Sequence, residues 1–219
     1  MHKSVENLKH IQEIVKSKEK DFNLKKRPCI IAVSKTFKLD KILPLIDEGH
    51  EDFGENKVQE ALSKWGDIKS QKPNLRLHLI GGLQTNKVKF AVKIFDFIHS
   101  VDNKKLAKKI ADEEIKQNKK IKIFIQVNLG NENQKSGISK DELRSFFLYC
   151  KEVGLNIIGL MCIPPINHDP VPFFKELKDL NDSFNLSDLS MGMSSDYMEA
   201  IENYSTYLRI GSDIFGKRN

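Results

Sequence analysis

Eight short apolar segments alternate with amphipathic segments along this chain of 219 residues. Segments such as Cys29–Val33 and Leu155–Met161 are rich in small and β-branched residues, which is typical of strands that are buried on both faces. The segments between them carry apolar residues at helical spacing. Because regular strand–helix alternation favours a parallel sheet, eight units predict an α/β fold. We expect a single-domain (β/α)8 TIM barrel over residues 1–219, with an extra N-terminal helix.

The boundaries follow from hydrophobic periodicity and from the glycines and prolines that end each segment. Strands are predicted at Cys29–Val33, Glu51–Asn56 (with its loop), Leu75–Ile80, Phe95–His99, Ile121–Asn128, Leu155–Met161, Leu186–Ser190 and Thr206–Ile210. Helices are predicted at Ser4–Lys20, Leu39–Glu48, Lys57–Trp65, Thr85–Lys93, Asn103–Gln117, Lys140–Val153, Pro172–Phe184 and Asp196–Asn203. No strand is followed by the G-x-G-x-x-G fingerprint of dinucleotide-binding sheets, so a closed barrel is preferred to an open sheet.

The charge of the chain mildly favours anionic partners. Lysine and arginine number 36 against 30 aspartates and glutamates, a formal net charge of +6. The lysines are interspersed with acids, as in Lys104–Glu114, so solvated helix faces explain them better than a nucleic-acid site. We therefore expect no nucleic-acid partner. Binding through the basic helices stays open as an alternative, and a steep loss of affinity with salt would support it.

Three further features bear on location and metal binding. No apolar run approaches the ~20 residues that span a membrane, and the N-terminus has no apolar signal region, so neither a membrane partner nor secretion is expected. The cysteines Cys29, Cys150 and Cys162 lie in or beside apolar runs without C-x-x-C spacing. They are interpreted as free thiols in a reducing compartment, with no metal site. We therefore expect a cytoplasmic protein.

Lys35 ends the first buried strand, where the chain leaves the core. Chemistry in parallel α/β folds is placed at the carboxyl ends of the strands. A lysine held there partly out of water can offer a neutral amine that attacks a carbonyl and forms a Schiff base. The alternative is a lysine whose charged end simply extends to solvent. On this strand alone, the alternative is the better interpretation.

A second feature of the same barrel face points to a phosphate. Small hydroxyl residues and glycines cluster in Ser190–Asp196 and in Arg209–Ser212, after the seventh and eighth strands, where α/β barrels often bind phosphate. Ser194 and Ser195 are predicted to cap the helix that follows, whose N-terminus would face an anion. Ordinary turn glycines and an ordinary cap explain either segment alone equally well, but explain both together less well. A lysine and a phosphate site on one face fit pyridoxal 5′-phosphate, which carries an aldehyde and a phosphate.

Several segments in the same order resemble one protein family over nearly the whole chain. The matching segments are Ile31–Thr36, Phe53–Glu60, His78–Lys87, Val127–Asn128, Glu132–Lys135 with Gly137, Gly159–Met161, Leu189–Ser194, Leu208–Ser212 and Ile214–Gly216. In these segments the chain resembles the pyridoxal phosphate homeostasis protein family, whose members are similar to the N-terminal barrel domain of alanine racemase.

This resemblance implies how the cofactor is held at its two ends. Lys35 corresponds to the lysine that forms the Schiff base with pyridoxal 5′-phosphate. Ser194, Gly211 and Ser212 correspond to the residues that bind its phosphate. The resemblance thus places the aldehyde and the phosphate of the cofactor at the same segments that the residue pattern indicated.

The resemblance also implies the surroundings of the pyridine ring. Arg209 corresponds to the arginine that faces the ring nitrogen, and Asn56 to a residue beside the ring. His78 and Met161 correspond to positions that line the pocket. The chain departs from the family at Tyr204, where glycine is usual.

A second departure is Asp213, where the family commonly has a small residue. Neither this aspartate nor Tyr204 belongs to the site residues that the resemblance implies. Tyr204 puts the turn before the last strand in question, and the effect of Asp213 is not predicted.

The implied arginine bears on activity. Arginine only donates hydrogen bonds and stays protonated, so the ring nitrogen would remain neutral and the cofactor would be a weak electron sink. Racemisation further needs a second acid or base, which alanine racemases take from a C-terminal domain that is not expected here. We therefore expect a carrier that contributes to intracellular vitamin B6 homeostasis, not an enzyme, with no catalytic residues.

Two enzymatic alternatives stay open. One is a weak amino-acid racemase, and the other is another Schiff-base enzyme such as a lysine-dependent aldolase. Either would need a second titratable group near Lys35, for which His78 is the best candidate. For the carrier, candidate partners are apo-forms of pyridoxal-phosphate-dependent enzymes, and a monomer is expected.

Overall fold

A computed structural model describes residues 2–130 and 136–216, and its centre is a closed barrel of eight parallel strands. Each strand pairs with the next along the chain, and the first pairs with the last, so that Ile30 lies opposite Leu208. The strands are β1 Cys29–Val33, β2 Asp52–Glu55, β3 Arg76–Leu79, β4 Phe97–Val101, β5 Lys122–Gln126, β6 Asn156–Met161, β7 Asp188–Met193 and β8 Tyr207–Ile210. The predicted barrel is confirmed.

Helices surround the barrel and alternate with its strands. The helices of the described residues are α1 Lys3–Asp21, α2 Leu39–Asp47, α3 Val58–Gln71, α4 Val88–Ile94, α5 Lys104–Gln117, α6 Lys140–Glu152, α7 Val171–Ser183, α8 Tyr197–Glu202 and α9 Ser212–Phe215. A 3₁₀ turn, Thr85–Lys87, precedes α4. The extra helix α1 buries Val5, Leu8 and Ile11 and packs against α2, α8 and α9. It therefore closes the outside of the barrel where the first and last units meet.

Several predicted boundaries are wrong. The fourth strand begins at Phe97 and not at Phe95, because the Phe95 N–H still bonds to the Ala91 carbonyl at the end of α4. Helix α3 continues to Gln71, six residues past its predicted end. Strand β7 begins at Asp188 and extends to Met193, since the residues before it close the turn after α7. The short helix α9 was not predicted.

The turn before β8 contains Tyr204, one of the two departures from the family pattern. Its φ is 67°, a left-handed conformation in which glycine is favoured and a tyrosine is strained. The side chain is half exposed, and the Lys178 ammonium lies 5.1 Å from the centre of its ring. The turn therefore forms with tyrosine, at a cost in backbone strain.

Apolar side chains fill two layers. The larger layer lies between the strands and the helices and includes Trp65 and Phe174, which are fully buried. The smaller layer lies inside the barrel and consists of Ile31, Phe97, Phe124, Met161 and Tyr207. The barrel is thus a packed core and not a channel, which leaves its rim as the place for a ligand.

Candidate functional site

A cavity of about 520 Å³ opens at the carboxyl ends of the strands. This size is within the range of small-molecule sites. Lys35 and Arg209 are the only ionisable side chains among the described residues that line it. The lining residues are Val33, Lys35, Phe37, Asn56, Ile80, Ile163, Met193, Ser194, Ser195, Arg209, Gly211, Ser212 and Gly216. The cavity is therefore positively charged and suited to an anionic ligand.

A buried polar cluster holds the strand end that carries Lys35. The preceding residue, Ser34, donates its hydroxyl proton to Glu55 Oε1 at 2.7 Å. The same carboxylate oxygen accepts from Lys64 Nζ at 2.9 Å and from the Trp65 indole N–H at 3.0 Å. Lys64 also donates to the Ser34 carbonyl at 2.9 Å. The backbone before Lys35 is thus fixed from both the side-chain and the carbonyl sides.

The backbone after Lys35 is strained. Thr36 has a φ of 68°, which is unusual for any residue but glycine and most of all for a β-branched one. Its N–H donates to Glu60 Oε1 at 2.5 Å, and Lys64 donates to the same oxygen at 2.9 Å. Hydrogen bonding to Lys64 and Thr36 outweighs the opposing effect of burial and lowers the pKa of Glu60. Strain of this kind is concentrated at functional sites, where the surrounding structure holds it.

Asn56 reaches the cavity through a close approach of two loops. It follows β2, and Gly81 lies against its backbone. A Cβ at position 81 would lie 2.4 Å from the Asn56 carbonyl oxygen, so only glycine fits there. Ser100 fixes the second loop by donating to the Gly81 carbonyl at 2.7 Å.

Polar groups that suit an anion lie at the rim after β7 and β8. Ser194 Oγ accepts hydrogen bonds from the backbone N–H groups of Gly211 and Asp213, at 3.3 and 3.4 Å. Ser194, Ser195, Gly211 and Ser212 all line the cavity. Hydroxyls and backbone N–H groups that converge in this way are typical of phosphate sites.

The predicted capping role of the two serines is wrong. The residue at the N-cap of α8 is Asp196, and its carboxylate accepts from the Met193 N–H at 2.6 Å. Ser194 is instead drawn to the start of α9, because the loop after β8 brings two N–H donors to it. The serine segment thus joins the rims of β7 and β8.

Arg209 lies at the inner wall of the cavity and is 5% exposed. Its Nη1 donates to Ser190 Oγ at 2.6 Å and its Nη2 to the Cys162 carbonyl at 2.9 Å. Burial lowers the pKa of this guanidinium, but arginine remains protonated in proteins. The side chain therefore presents a fixed charge and donors only.

Two of the eight predicted site residues do not line the cavity. His78 and Met161 are fully buried, and their side chains lie among the aromatic residues inside the barrel. Residues alternate between the inside and the outside of a barrel, and those two point into layers below the rim. The prediction that they line the pocket is corrected accordingly. The other six, Lys35, Asn56, Ser194, Arg209, Gly211 and Ser212, are brought together at one cavity.

The contacts of Arg209 and two residues of the cavity wall were not predicted from the sequence. Ser190 and the Cys162 carbonyl fix the guanidinium, and Ile163 and Phe37 line the wall. A serine inside an apolar strand such as β7 was a usable signal, because a buried hydroxyl needs a partner. The roles of Ile163 and Phe37 had no such signal.

Other expectations concern cysteines, metals and membranes. Cys29, Cys150 and Cys162 are free thiols, the first half-buried and the others buried. No group of three potential metal ligands occurs within residues 2–130 and 136–216. None of the helices in those ranges is long and apolar enough to cross a membrane. The motif residues Glu132–Lys135 lie outside the described residues.

Comparisons of sequence place the chain among known proteins. A family model described as the alanine racemase N-terminal domain matches residues 6–219. The pyridoxal phosphate homeostasis protein of Aquifex aeolicus is 38% identical over 199 residues, which cover 86% of each chain. The protein of the same name from Haemophilus influenzae is 33% identical, over 97% of this chain and 95% of its own. The chain belongs to the pyridoxal phosphate homeostasis protein family.

Structural comparison agrees with this family. The chain superimposes on PipY of Synechococcus elongatus, solved with PLP bound, with a TM-score of 0.86 and 30% identity, over 97% of this chain and 100% of PipY. An alanine racemase of Clostridium difficile shares the fold alone, with a TM-score of 0.69 at 13% identity, over 94% of this chain and 56% of the racemase. The family resemblance drawn from the sequence motifs is confirmed.

Proposed function

We propose that the chain binds pyridoxal 5′-phosphate covalently at Lys35 and serves to hold this cofactor, as a contribution to vitamin B6 homeostasis. The observation that carries the proposal is the meeting, in one cavity, of a strand-end lysine, a buried guanidinium and a rim of hydroxyl and backbone N–H groups. The names of the relatives and the PLP bound to PipY support it.

The residues of the cavity match the chemical groups of the cofactor. When bound, pyridoxal phosphate supplies an aldehyde with which an amine condenses to form a C=N bond and release one water. Lys35 offers the amine, while Ser194, Ser212 and the Gly211 backbone would hold the phosphate. Arg209 would donate to the ring nitrogen, and Asn56 would lie beside the ring. The positive lining suits the negative charge of the phosphate.

These residues support a role in holding the cofactor and not in catalysing a reaction of a substrate. Among the described lining residues, only Lys35 and Arg209 are ionisable, and arginine stays protonated at neutral pH and cannot act as a base. His78, the candidate second base of a racemase or an aldolase, is buried inside the barrel and bonded to two other side chains. A donor at the ring nitrogen also keeps the ring neutral and weakens it as an electron sink.

The finer expectations belong to the same proposal. We propose that a single domain carries the site and that the protein is a monomer. We further propose that it works in the cytoplasm, because free thiols persist in that compartment. The bound cofactor would be passed to apo-forms of pyridoxal-phosphate enzymes.

The experiment is to trap the covalent bond. The purified chain is mixed with pyridoxal phosphate, reduced with borohydride, digested and mapped by mass spectrometry. We expect the label on Lys35 and its loss in Lys35→Arg, which keeps the charge but cannot form the bond. Lys122→Arg is the matched control, because Lys122 begins β5 at the opposite end of the barrel.

Two outcomes would contradict the proposal. Equal labelling of Lys35→Arg and the wild type would exclude Lys35 as the attachment site. Deuterium incorporation at Cα of D- or L-alanine, when the loaded protein is incubated in heavy water, would show an enzyme instead of a holder. Loss of this exchange in Lys35→Arg would then assign it to the same cavity.

A further inference from the structure

A continuous series of buried polar side chains crosses the inside of the barrel. From Arg209 at the cavity, hydrogen bonds lead to Ser190 and then to His99, whose Nδ1 lies 2.8 Å from Ser190 Oγ. His99 Nε2 lies 3.0 Å from His78 Nδ1, and His78 Nε2 lies 3.0 Å from Asp52 Oδ1. These five residues, here named the polar file, come from five different strands.

Water has no access to the middle of the polar file. Ser190, His99 and His78 are fully buried. The His78 ring stacks on Phe97 with centres 4.2 Å apart, and the His99 ring stacks on Phe124 at 4.4 Å. Polar atoms enclosed by aromatic rings must form hydrogen bonds with one another, because a buried donor or acceptor without a partner costs free energy.

The two ends of the polar file have fixed and opposite roles. Arg209 can only donate. At the other end, burial would raise the pKa of Asp52, but hydrogen bonds from Arg76 and His78 hold it well below its usual range. Arg76 donates to both carboxylate oxygens, at 2.7 and 2.6 Å. Asp52 is therefore an ionised carboxylate that can only accept.

Between these ends, one arrangement of protons satisfies every atom. Burial lowers the pKa of His78 and of His99, so each is neutral with one donor and one acceptor nitrogen. His78 must donate a hydrogen bond from Nε2–H to Asp52, so its Nδ1 accepts a hydrogen bond from His99 Nε2–H. The Nδ1 of His99 then accepts a hydrogen bond from the Ser190 hydroxyl, and Ser190 Oγ accepts one from Arg209. With both rings neutral, any other choice leaves two acceptors facing each other, at the His78–His99 contact or at the His78–Asp52 contact.

We propose that the polar file is a one-way hydrogen-bond chain that fixes both histidines as Nε2–H tautomers and holds the Arg209 guanidinium in one orientation at the cavity wall. Its effect on the cofactor rests on the proposed function, in which Arg209 faces the ring nitrogen. Ser190, His99, His78 and Asp52 are then positioning residues, which act on the ligand only through Arg209.

The first test needs no cofactor. Long-range ¹⁵N–¹H correlation spectra of the histidine-labelled chain at pH 7.5 report which ring nitrogen carries the proton. We expect protonated Nε2 and unprotonated Nδ1 for both His78 and His99, assigned with single-histidine variants. A protonated Nδ1 on either ring, whether as the other tautomer or as a charged imidazolium, would overturn the proposal.

The second test interrupts the hydrogen bonds of the polar file by a substitution at Ser190. Ser190→Ala removes the side-chain acceptor of Arg209 Nη1 and the donor to His99 Nδ1, and leaves the Cys162 carbonyl as the acceptor of Nη2. We expect the His99 Nδ1 resonance to shift, the affinity for pyridoxal phosphate to fall about tenfold, and the absorption band of the bound cofactor to move. Ser205→Ala is the matched control, because Ser205 is a buried serine whose hydroxyl donates to backbone carbonyls that are not part of the polar file, such as that of Met191. Ser190→Thr, which keeps the hydroxyl, should restore the band position.

The outcomes separate the two proposals. Equal changes in affinity and band position for Ser190→Ala and Ser205→Ala would overturn the positioning role, whatever the tautomers are. If the wild-type chain took up no cofactor, the proposed function would fail together with the effect on the cofactor. The NMR spectra, which need no cofactor, would still show whether the one-way hydrogen-bond chain exists.

Discussion

Lowering the pH from 7.5 to 5.5 should destabilise the fold through its buried histidines. Burial lowers the pKa of both His78 and His99 in the folded chain, while an unfolded histidine titrates near 6.5. The stabilising effect of keeping them neutral is present above that unfolded value. It is lost as the pH falls toward the folded pKa, because the unfolded chain then binds more protons. Asp52 stays ionised over this interval, since its pKa is held well below it.

The magnitude follows from proton linkage. A histidine that stays neutral when folded and titrates near 6.5 when unfolded loses about 1.4 kcal/mol of stability between pH 7.5 and 5.5. His99 should contribute this full amount, because its pKa is lowered well below 6.5. His78 should contribute up to about the same again. His50, whose pKa is also lowered by burial, acts in the same direction.

The assay is urea denaturation followed by circular dichroism at the two pH values, without cofactor. The decisive comparison is with His99→Gln, which removes one titrating group but keeps a donor toward His78. The free energy of unfolding of this variant should depend less on pH, by about 1.4 kcal/mol over the interval. If the variant and the wild type lost the same stability, His99 would not be a buried neutral group, and the reasoning would be refuted.

Two further predictions concern the backbone of the site. Gly192 has a φ of 90°, and a Cβ there would lie 2.5 Å from the Ala200 Cβ, so Gly192→Ala should lower the free energy of unfolding by about 2–4 kcal/mol. The control is Gly154→Ala, where φ is 80° and no atom lies within 4 Å of an added Cβ, so only backbone strain of about 1–2 kcal/mol is expected. If both variants lost the same free energy of unfolding, the steric argument for Gly192 would be contradicted. Thr36→Asn should raise the free energy of unfolding by about 0.5–1 kcal/mol in urea denaturation, because asparagine tolerates positive φ better than threonine. Four of the six non-glycine residues at positive φ in the described chain are asparagines, and an unchanged or lower stability would show that Thr36 is not strained.

Much of the site was predictable from the sequence because of the way a parallel barrel is built. Hydrophobic periodicity identified the strands, and the carboxyl ends of parallel strands meet at one rim. Lys35, Ser194 and Gly211 therefore had to share a face once the alternation was recognised. The barrel could be predicted without knowing any contact between side chains.

Local pattern did not reveal which loops contact each other at that rim. Ser194 looked like a helix cap, but its hydroxyl lies beside the N–H groups of Gly211 and Asp213 from the next unit. Capping preferences describe the nearest helix in sequence, whereas the hydroxyl bonds to the donors nearest in space. The same limit applies to Ile163 at the cavity wall.

The sequence by itself therefore determined the alternation of strands and helices, the closed barrel and the rim that carries Lys35. Only the tertiary structure decided that His78 lies inside the barrel and is joined through His99 and Ser190 to Arg209. The physical reason is that these strands are buried on both faces, so their apolar pattern does not record which side chains point inward. The tilt and stagger of eight strands, which bring side chains distant in sequence to hydrogen-bonding distance, are set only when the barrel closes.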